Sequence, residues 1–423
     1  MIVRGDIIFT KEATEFTIFE DSYLLIDEAG KIEGIVQEIE TGREYTDHRG
    51  KLIIPSFVDL HLHANQFANC GLGNDEELLG WLEKYTFKEE VKFKDLDYAR
   101  EIYKLVLNRL WEAGSLRSVI YASLYTKTTS LLFDLALESG LSSYIGKVNM
   151  DRNVPEYYSE TTEESLAGTR EIIERYGQIS QLIKPIITPR FVPHCTSESM
   201  AGQGKLSIEY SVPVQSHINE SKKEIEWVKS LHPEALNYSS VYDEYDLFGE
   251  KAPALMAHCI HNTKEEIELM KKRQVYPVHC PESNANLSSG IMAVKKMLEE
   301  GLPVSLGSDI SGGHHLYLPY QMVLAIQLSK MKGRLEDDMS HVIGLPEAIY
   351  MATKSGGSFF GKTGSFETGY SADFLVINTD SLMNIKEERS IKEKLEKFIY
   401  IGSAANIEAR YLEGKLLEKP FKE

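Results

Sequence analysis

Between residues 53 and 307 the chain alternates short apolar segments of strand composition with segments of helical period, eight times over. This alternation constrains the fold more than any other feature. Strands separated by helices pair in parallel, because each helix carries the chain back to start the next strand in the same direction. The strands are expected near residues 53–59, 117–121, 144–149, 182–188, 212–217, 254–258, 275–279 and 304–307. Several helix signals sit between them. Residues 95–113 have a strong helical period and stop at Gly114, a residue suited to the position just past a helix end. Thr263-Lys264-Glu265-Glu266 is a capping box, and residues 292–300 read as a helix ended by Gly301. Eight such units predict an α/β chain folded as a closed (β/α)8 TIM barrel.

The two ends of the chain read differently. Segments 7–9, 15–18, 23–26 and 32–36, and again 373–377, 398–402 and 409–412, are β-branched or aromatic and broken by Gly, Asp and Glu. They predict one small composite β-sandwich built from both ends. The expected division is residues 1–56 and 365–423 for that module and 57–364 for the barrel. No internal repeat or low-complexity linker interrupts this plan.

Composition narrows the class of function. With 42% hydrophobic and 26% charged residues, the 423-residue chain is an ordinary globular protein, not a disordered or fibrous one. Its net charge of −18 repels phosphate backbones, so no nucleic-acid partner is expected. The first residues lack a signal-peptide pattern and no run of 18 apolar residues occurs, so no membrane partner is expected either. Four cysteines, Cys70, Cys195, Cys259 and Cys280, form no C-x-x-C pair, which fits a reducing, cytoplasmic setting.

In a parallel barrel the chemistry belongs at the C-terminal ends of the strands. His61 and His63 end the first strand and, two residues apart, point to one face, where both can reach one metal ion. His217 ends the fifth strand, with Glu220 following where a helix starts. His258 ends the sixth and Asp309 the eighth. Each alone has an ordinary structural explanation: a core histidine, a carboxylate at a helix start, or a turn residue. Together they occupy the places where a barrel site is built. His279 ends the seventh strand in what reads as a supporting position, and His194, His261, His314 and His315 lie near other strand ends.

This order of H-x-H, His, His and Asp, with a β module from both ends, resembles the amidohydrolase superfamily. Residues 58–66 (VDLHLHANQ), 190–193 (RFVP), 215–220 (QSHINE), 279–284 (HCPESN) and 307–313 (GSDISGG) resemble its guanine deaminases. One stretch departs from the family: the second strand opens Gly114-Ser115-Leu116-Arg117-Ser118 where relatives carry a Gly-Thr-Thr-Thr-like run. The resemblance implies His61, His63, His217 and Asp309 as metal ligands. Three imidazoles and a carboxylate suit one Zn2+ per chain, with Fe2+ open as well. Lys184 lies near the start of the fourth strand, not its end, which argues against a second, lysine-bridged ion.

The same resemblance implies hydrolytic deamination of guanine to xanthine and ammonia. Asp309 would accept a proton from water, His258 would orient the water or polarise the attacked centre, and Glu220 would shuttle protons to the base. Gln66, Arg190 and Phe191, with His217, Glu220 and His258, would bind the substrate, the Arg190 fork facing the adjacent O6 and N7 acceptors. An enzyme of the same fold acting on another purine, a pterin or a triazine stays open, because fold and ligands do not set the substrate. A homodimer is also expected.

Overall fold

A computed structural model describes residues 1–382 and 389–422. Eight strands of the central region follow one another in two four-stranded parallel sheets. The first holds Phe57–His63, Ser115–Tyr121, Ser142–Gly146 and Ile183–Pro185, and the second Val214–Ile218, Ala254–His258, Tyr276–His279 and Ser305–Leu306. Backbone hydrogen bonds run between the two sheets on both sides. Ile187 donates to Pro213 and accepts from Gln215, each at 2.9 Å. Asp309 donates to His61 at 2.8 Å and His63 to Ile310 at 2.9 Å. Four expected strands are shorter or split. Of the first, residues 53–55 belong to the terminal-sheet strand Thr46–Pro55, and the central strand is Phe57–His63. Pro185 and Pro189 lack the N–H a central ladder needs, so the fourth breaks into Ile183–Pro185 and Thr188–Pro189. The third divides into Ser142–Gly146 and Val148–Asn149, and the eighth pairs only at Ser305–Leu306.

The helices between strands start and stop where their caps dictate. Asp95 accepts from the N–H groups of Asp97 and Tyr98 to open Leu96–Ala113, and Gly114 closes it at φ 76°, a left-handed conformation that a side chain would strain. Thr263 and Glu266 satisfy each other's backbone N–H at the start of Lys264–Arg273. The helix expected over 292–300 is Val294–Glu299.

The chain ends join in one seven-stranded sheet. Its order is Lys415–Leu416, Ile407–Leu412, Phe374–Ile377, Thr46–Pro55, Ile2–Phe9, Thr17–Ile26 and Ile32–Val36, with only Ile2–Phe9 and Thr46–Pro55 parallel. The two halves meet where Val376 stands opposite Ile53. Strand alternation divides the side chains of this sheet between two cores. Ile7, Phe9, Ile53, Phe374 and Val376 pack together on one side, where the Phe374 and Tyr411 rings stack at 4.3 Å. Ile8, Leu52, Ile54, Leu375 and Ile377 face the large core shared with Leu96–Ala113. Fully burying each such side chain is worth about 1.5–3 kcal/mol.

Two readings of the ends are corrected. Residues 17–18 and 23–26 are parts of one strand, Thr17–Ile26, with residues 15–16 outside it, and its pairing with Ile2–Phe9 carries a register shift. Residues 398–402 are not a strand: they end the helix Ile391–Ile401, opened by the Ser390–Glu393 capping box. Ile391, Leu395, Phe398 and Ile399 form its buried stripe, a helical spacing that a five-residue window over the aromatic end conceals.

The departure at Gly114–Ser118 acquires a structural purpose. Arg117 is buried and donates from Nε to Asp373 at 2.7 Å and from Nη1 to Ser142 at 2.9 Å. It thereby ties the second strand of the central region to the C-terminal part of the terminal sheet.

Candidate active site

The first strand aims two histidines at one point. Its pairing with the second strand shifts register between Asp59 and Leu62, so the side-chain alternation slips by one just before His61. Val58 and Leu60 pack in the apolar interior, Leu62 turns to the helices, and His63 faces the strand-end cavity with the His61 ring beside it. Asp59 Oδ1 accepts from the N–H groups of His61 and Ser308, holding the first and last strands together beneath the site. Gly307 lets the last strand pass close by: a Cβ there would lie 2.7 Å from that of His61.

His61, His63, His217 and Asp309 converge, with one donor atom from each lying within 4.8 Å of the others. His63 Nε2 is 3.1 Å from His217 Nε2, and Asp309 Oδ1 is 3.2 Å from His61 Nε2 and 3.5 Å from His63 Nε2. Burial pushes all three imidazoles below their ordinary pKa, so they stay neutral with lone pairs available. His217 Nδ1 lies 2.6 Å from the Arg190 carbonyl, which places its proton there and leaves Nε2 bare. His61 Nε2 is buried without an aligned hydrogen bond. Four ligands around Zn2+ at about 2.0–2.1 Å would be spaced by roughly 3.4 Å, so this donor set fits such an ion.

Beside this group stands an acid–base pair. Glu220 directly precedes Ser221, the N-cap of Lys222–Leu231, and burial pushes its carboxyl up to about 7. Ser289 Oγ donates to Glu220 Oε1 at 3.1 Å. Glu220 Oε2 is 3.4 Å from His258 Nε2, and Asp309 Oδ2 is 3.9 Å from the same nitrogen. Asn284 Oδ1 lies 2.9 Å from His258 Nδ1 and accepts a hydrogen bond from it, leaving Nε2 to face the two carboxylates. Burial opposes charge on His258, but Glu220 and Asp309 outweigh it and raise its pKa. Burial likewise opposes charge on Asp309, and the surrounding histidines reverse that, holding it well below the usual carboxylate range. His258 and Asp309 also sit at left-handed backbone angles, φ 72° and 48°, a strain of about 1–3 kcal/mol each that such sites often carry.

Residues of both groups line one shared cavity. His63, His217, Glu220, His258 and Asp309 line one side, Gln66, Arg190 and Phe191 another, and Leu78, Trp81, Leu82 and Leu287 the rest. His61 lies just beneath. Arg190 Nη1 donates to Glu90 Oε2 at 2.6 Å, and Gln66 Nε2 donates to Glu90 Oε1 at 2.7 Å.

The structure thus draws together every residue expected to bind metal or substrate. The Arg190 fork does not face the cavity unencumbered, since Glu90 engages one arm. Other expected neighbours stand apart. His279 is buried and absent from the lining, with burial pushing its pKa down to about 3. His194 packs against Phe87, Phe191 and Trp227, and His261 Nε2 lies 2.8 Å from the carbonyl of Ser289. His314 and His315 both pair with Glu282. Cys195 is pushed up to about 12 by burial, and burial raises Cys259 and Cys280 as well, so these thiols stay protonated. Lys184 reaches back to Gln181.

Several contributors escaped the sequence reading. Glu90, in the short helix Phe87–Glu90, and the apolar residues 78, 81 and 82 belong to a segment without a motif. Asn284 and Ser289 lay in or beside a recognised string, yet nothing local told which histidine or carboxylate they serve.

Comparison with known proteins agrees with this geometry. Residues 52–417 match the amidohydrolase family. Guanine deaminase of Dictyostelium discoideum is 35% identical, covering 99% of this chain and 98% of that protein. A guanine deaminase from C. acetobutylicum, solved with guanine in its active site, is 48% identical with a TM-score of 0.96, covering 99% of each chain. The E. coli guanine deaminase structure is 31% identical with a TM-score of 0.90, again over 99% of each chain.

Proposed function

The chain belongs to the amidohydrolase family, and from that premise we propose that it hydrolyses guanine to xanthine and ammonia. The observation that carries this reading is the single cavity in which the His61–His63–His217–Asp309 group, the Glu220–His258 pair and the Gln66–Arg190 pair meet. In the same reading the two parallel sheets close into a (β/α)8 barrel, supported by the hydrogen bonds on both sides. The terminal sheet forms a second module of residues 1–56 and 365–423, supported by Phe366 packing into its core.

His61, His63, His217 and Asp309 would hold one Zn2+, or Fe2+, per chain. Such an ion would supply a nucleophile at neutral pH by lowering the pKa of water towards about 7. Asp309 accepts a proton from the attacking water. His258, held by Asn284, steadies that water from the other side. Glu220, whose carboxyl burial pushes up to about 7, delivers a proton to a ring nitrogen as the 2-carbon becomes tetrahedral. It then takes the proton of the new C2 hydroxyl and passes it to the departing amino group, and the proton held by Asp309 restores Glu220. The bond from water oxygen to C2 forms, the C2–N bond breaks, and ammonia leaves. Gln66 and Arg190 orient the base, Phe191 packs near its ring, and Leu78, Trp81, Leu82 and Leu287 keep bulk water away.

A homodimer in the cytoplasm completes the proposal. Four unbridged thiols fit a reducing compartment, and among the described residues no helix is long and apolar enough to cross a membrane. Light scattering of the purified chain tests the dimer. Ammonia release from guanine, compared with adenine, cytosine, 8-oxoguanine and S-adenosylhomocysteine, tests the reaction. Rapid turnover of guanine is expected; turnover of another of these with none of guanine would overturn it.

A further inference from the structure

Glu90 is fully buried and has no part in the chemistry just described, yet it holds two of the side chains assigned to the base. Its Oε1 accepts from Gln66 Nε2 at 2.7 Å and its Oε2 from Arg190 Nη1 at 2.6 Å. An ionised carboxylate offers acceptors only. Glu90 is engaged in that way, paired with the Arg190 guanidinium at 2.6 Å. The Gln66 amide therefore has one allowed orientation: nitrogen towards Glu90, oxygen away from it. That oxygen lies 3.5 Å from the backbone nitrogen of Ser311, and Gln66 lines the cavity.

We infer that Glu90 is a specificity-determining positioning residue, which locks the Gln66 oxygen as an acceptor for a base edge bearing N–H. The inference rests on the guanine deaminase reading of the site. Guanine carries a hydrogen on N1, between O6 and the reacting C2, and can donate it to Gln66. A 2-aminopurine has the same amino group on C2 but a bare lone pair at N1. It would set acceptor against acceptor, and the buried amide could not turn to relieve the clash. A glutamine at position 90 has both donor and acceptor, so it supports either orientation of Gln66 and removes the lock.

The test compares kcat/KM for guanine and 2-aminopurine in the metal-loaded wild type, Glu90→Gln, Gln66→Leu and the double variant, with metal content and melting temperature as controls. Glu90→Gln is expected to lower the preference for guanine by roughly 10-fold or more, as expected when a site built to hydrogen-bond its substrate loses that selectivity. Gln66→Leu is expected to lower it similarly, and the two changes together to do little more than Gln66→Leu alone. If Glu90 acts only through Arg190, whose fork faces the O6 that 2-aminopurine lacks, Glu90→Gln lowers the preference undiminished in the Gln66→Leu background, and that result overturns the inference. Should Glu90→Gln fail to fold, Gln66→Leu decides: a retained preference overturns the role of the Gln66 oxygen. Wild-type protein inactive on guanine would instead overturn the deaminase reading itself.

Discussion

The Nε2 atoms of His63 and His217 lie 3.1 Å apart, while the other nitrogen of His217 is committed to the Arg190 carbonyl at 2.6 Å. Two imidazole nitrogens at this separation need a proton or a cation between them. A shared proton would serve only this pair, whereas His61 and Asp309 bring donor atoms to the same point, which favours the cation.

Metal should therefore stabilise the fold. Removing it with a chelator is expected to lower the melting temperature, and returning Zn2+ to restore it; free ion at about 1,000 times its dissociation constant contributes roughly 4 kcal/mol. Elemental analysis should give about one ion per chain. A ratio near two, or a melting temperature indifferent to chelation, would contradict the four-donor site.

Acid should weaken that site steeply. His61, His63 and His217 have folded-state pKa values below their ordinary 6.5, so the unfolded chain takes up their protons first as pH falls. Their contribution to stability is complete above 6.5 and is lost progressively below it. Metal retention followed by dialysis between pH 7.5 and 4.5 should show a cooperative loss on the acid side, and a pH-independent metal content would refute this.

Glu220→Gln separates chemistry from assembly. Activity on guanine is expected to fall roughly 10³-fold or more, with metal content unchanged. Stability should move the opposite way. A carboxyl raised from 4.5 to about 7 by burial costs nothing while both states are protonated; the cost grows as pH rises from 4.5 to 7 and reaches about 3 kcal/mol above it. In metal-free protein, Glu220→Gln should melt higher than wild type at pH 8, with a smaller gap at pH 5. A gap that shrinks as pH rises would contradict the raised pKa.

The Arg117–Asp373 pair should matter for stability rather than turnover. Both side chains are buried, at 5% and 1% exposure, so Arg117→Leu leaves an uncompensated carboxylate inside. Breaking one partner of such a pair costs about 3–5 kcal/mol. Denaturant unfolding should show that loss while KM for guanine stays near the wild-type value.

Trp81→Ala should act on binding. Its ring lines the cavity and its Nε1 donates to the Leu72 carbonyl at 3.0 Å, so truncation both opens the wall and loosens the loop. KM is expected to rise by roughly 10-fold, from about 1–1.5 kcal/mol of lost aromatic packing, with a smaller change in kcat. Unaltered KM would remove Trp81 from the substrate wall.

Much of this architecture was readable along the chain. Alternation of short apolar runs with segments of period 3.6 marks eight strands, and the ligand-type residues stand at their C-terminal ends, where a parallel βα fold builds its sites. His61 and His63 shared a face through local geometry alone, since two residues is one strand repeat. The helix ending at Ile401 was also legible in Ser390, Glu393 and the apolar spacing that follows. It was mistaken for a strand because aromatic and β-branched residues cluster in its final turn.

What no local pattern encoded is which polar groups meet across the sequence. Glu90 and Arg190 are 100 residues apart, Arg117 and Asp373 256, and His258 and Asn284 26. Periodicity reports which way a side chain points from its own element. Hydrogen-bond partners, burial and the resulting pKa values depend on what the folded chain brings opposite it. The residue order specified alternating strands and helices with His61, His63, His217, His258 and Asp309 at strand ends. Packing then committed one nitrogen of His217 to a carbonyl, raised the Glu220 carboxyl to about 7 and turned the Gln66 oxygen away from Glu90, because each is a property of a buried neighbourhood.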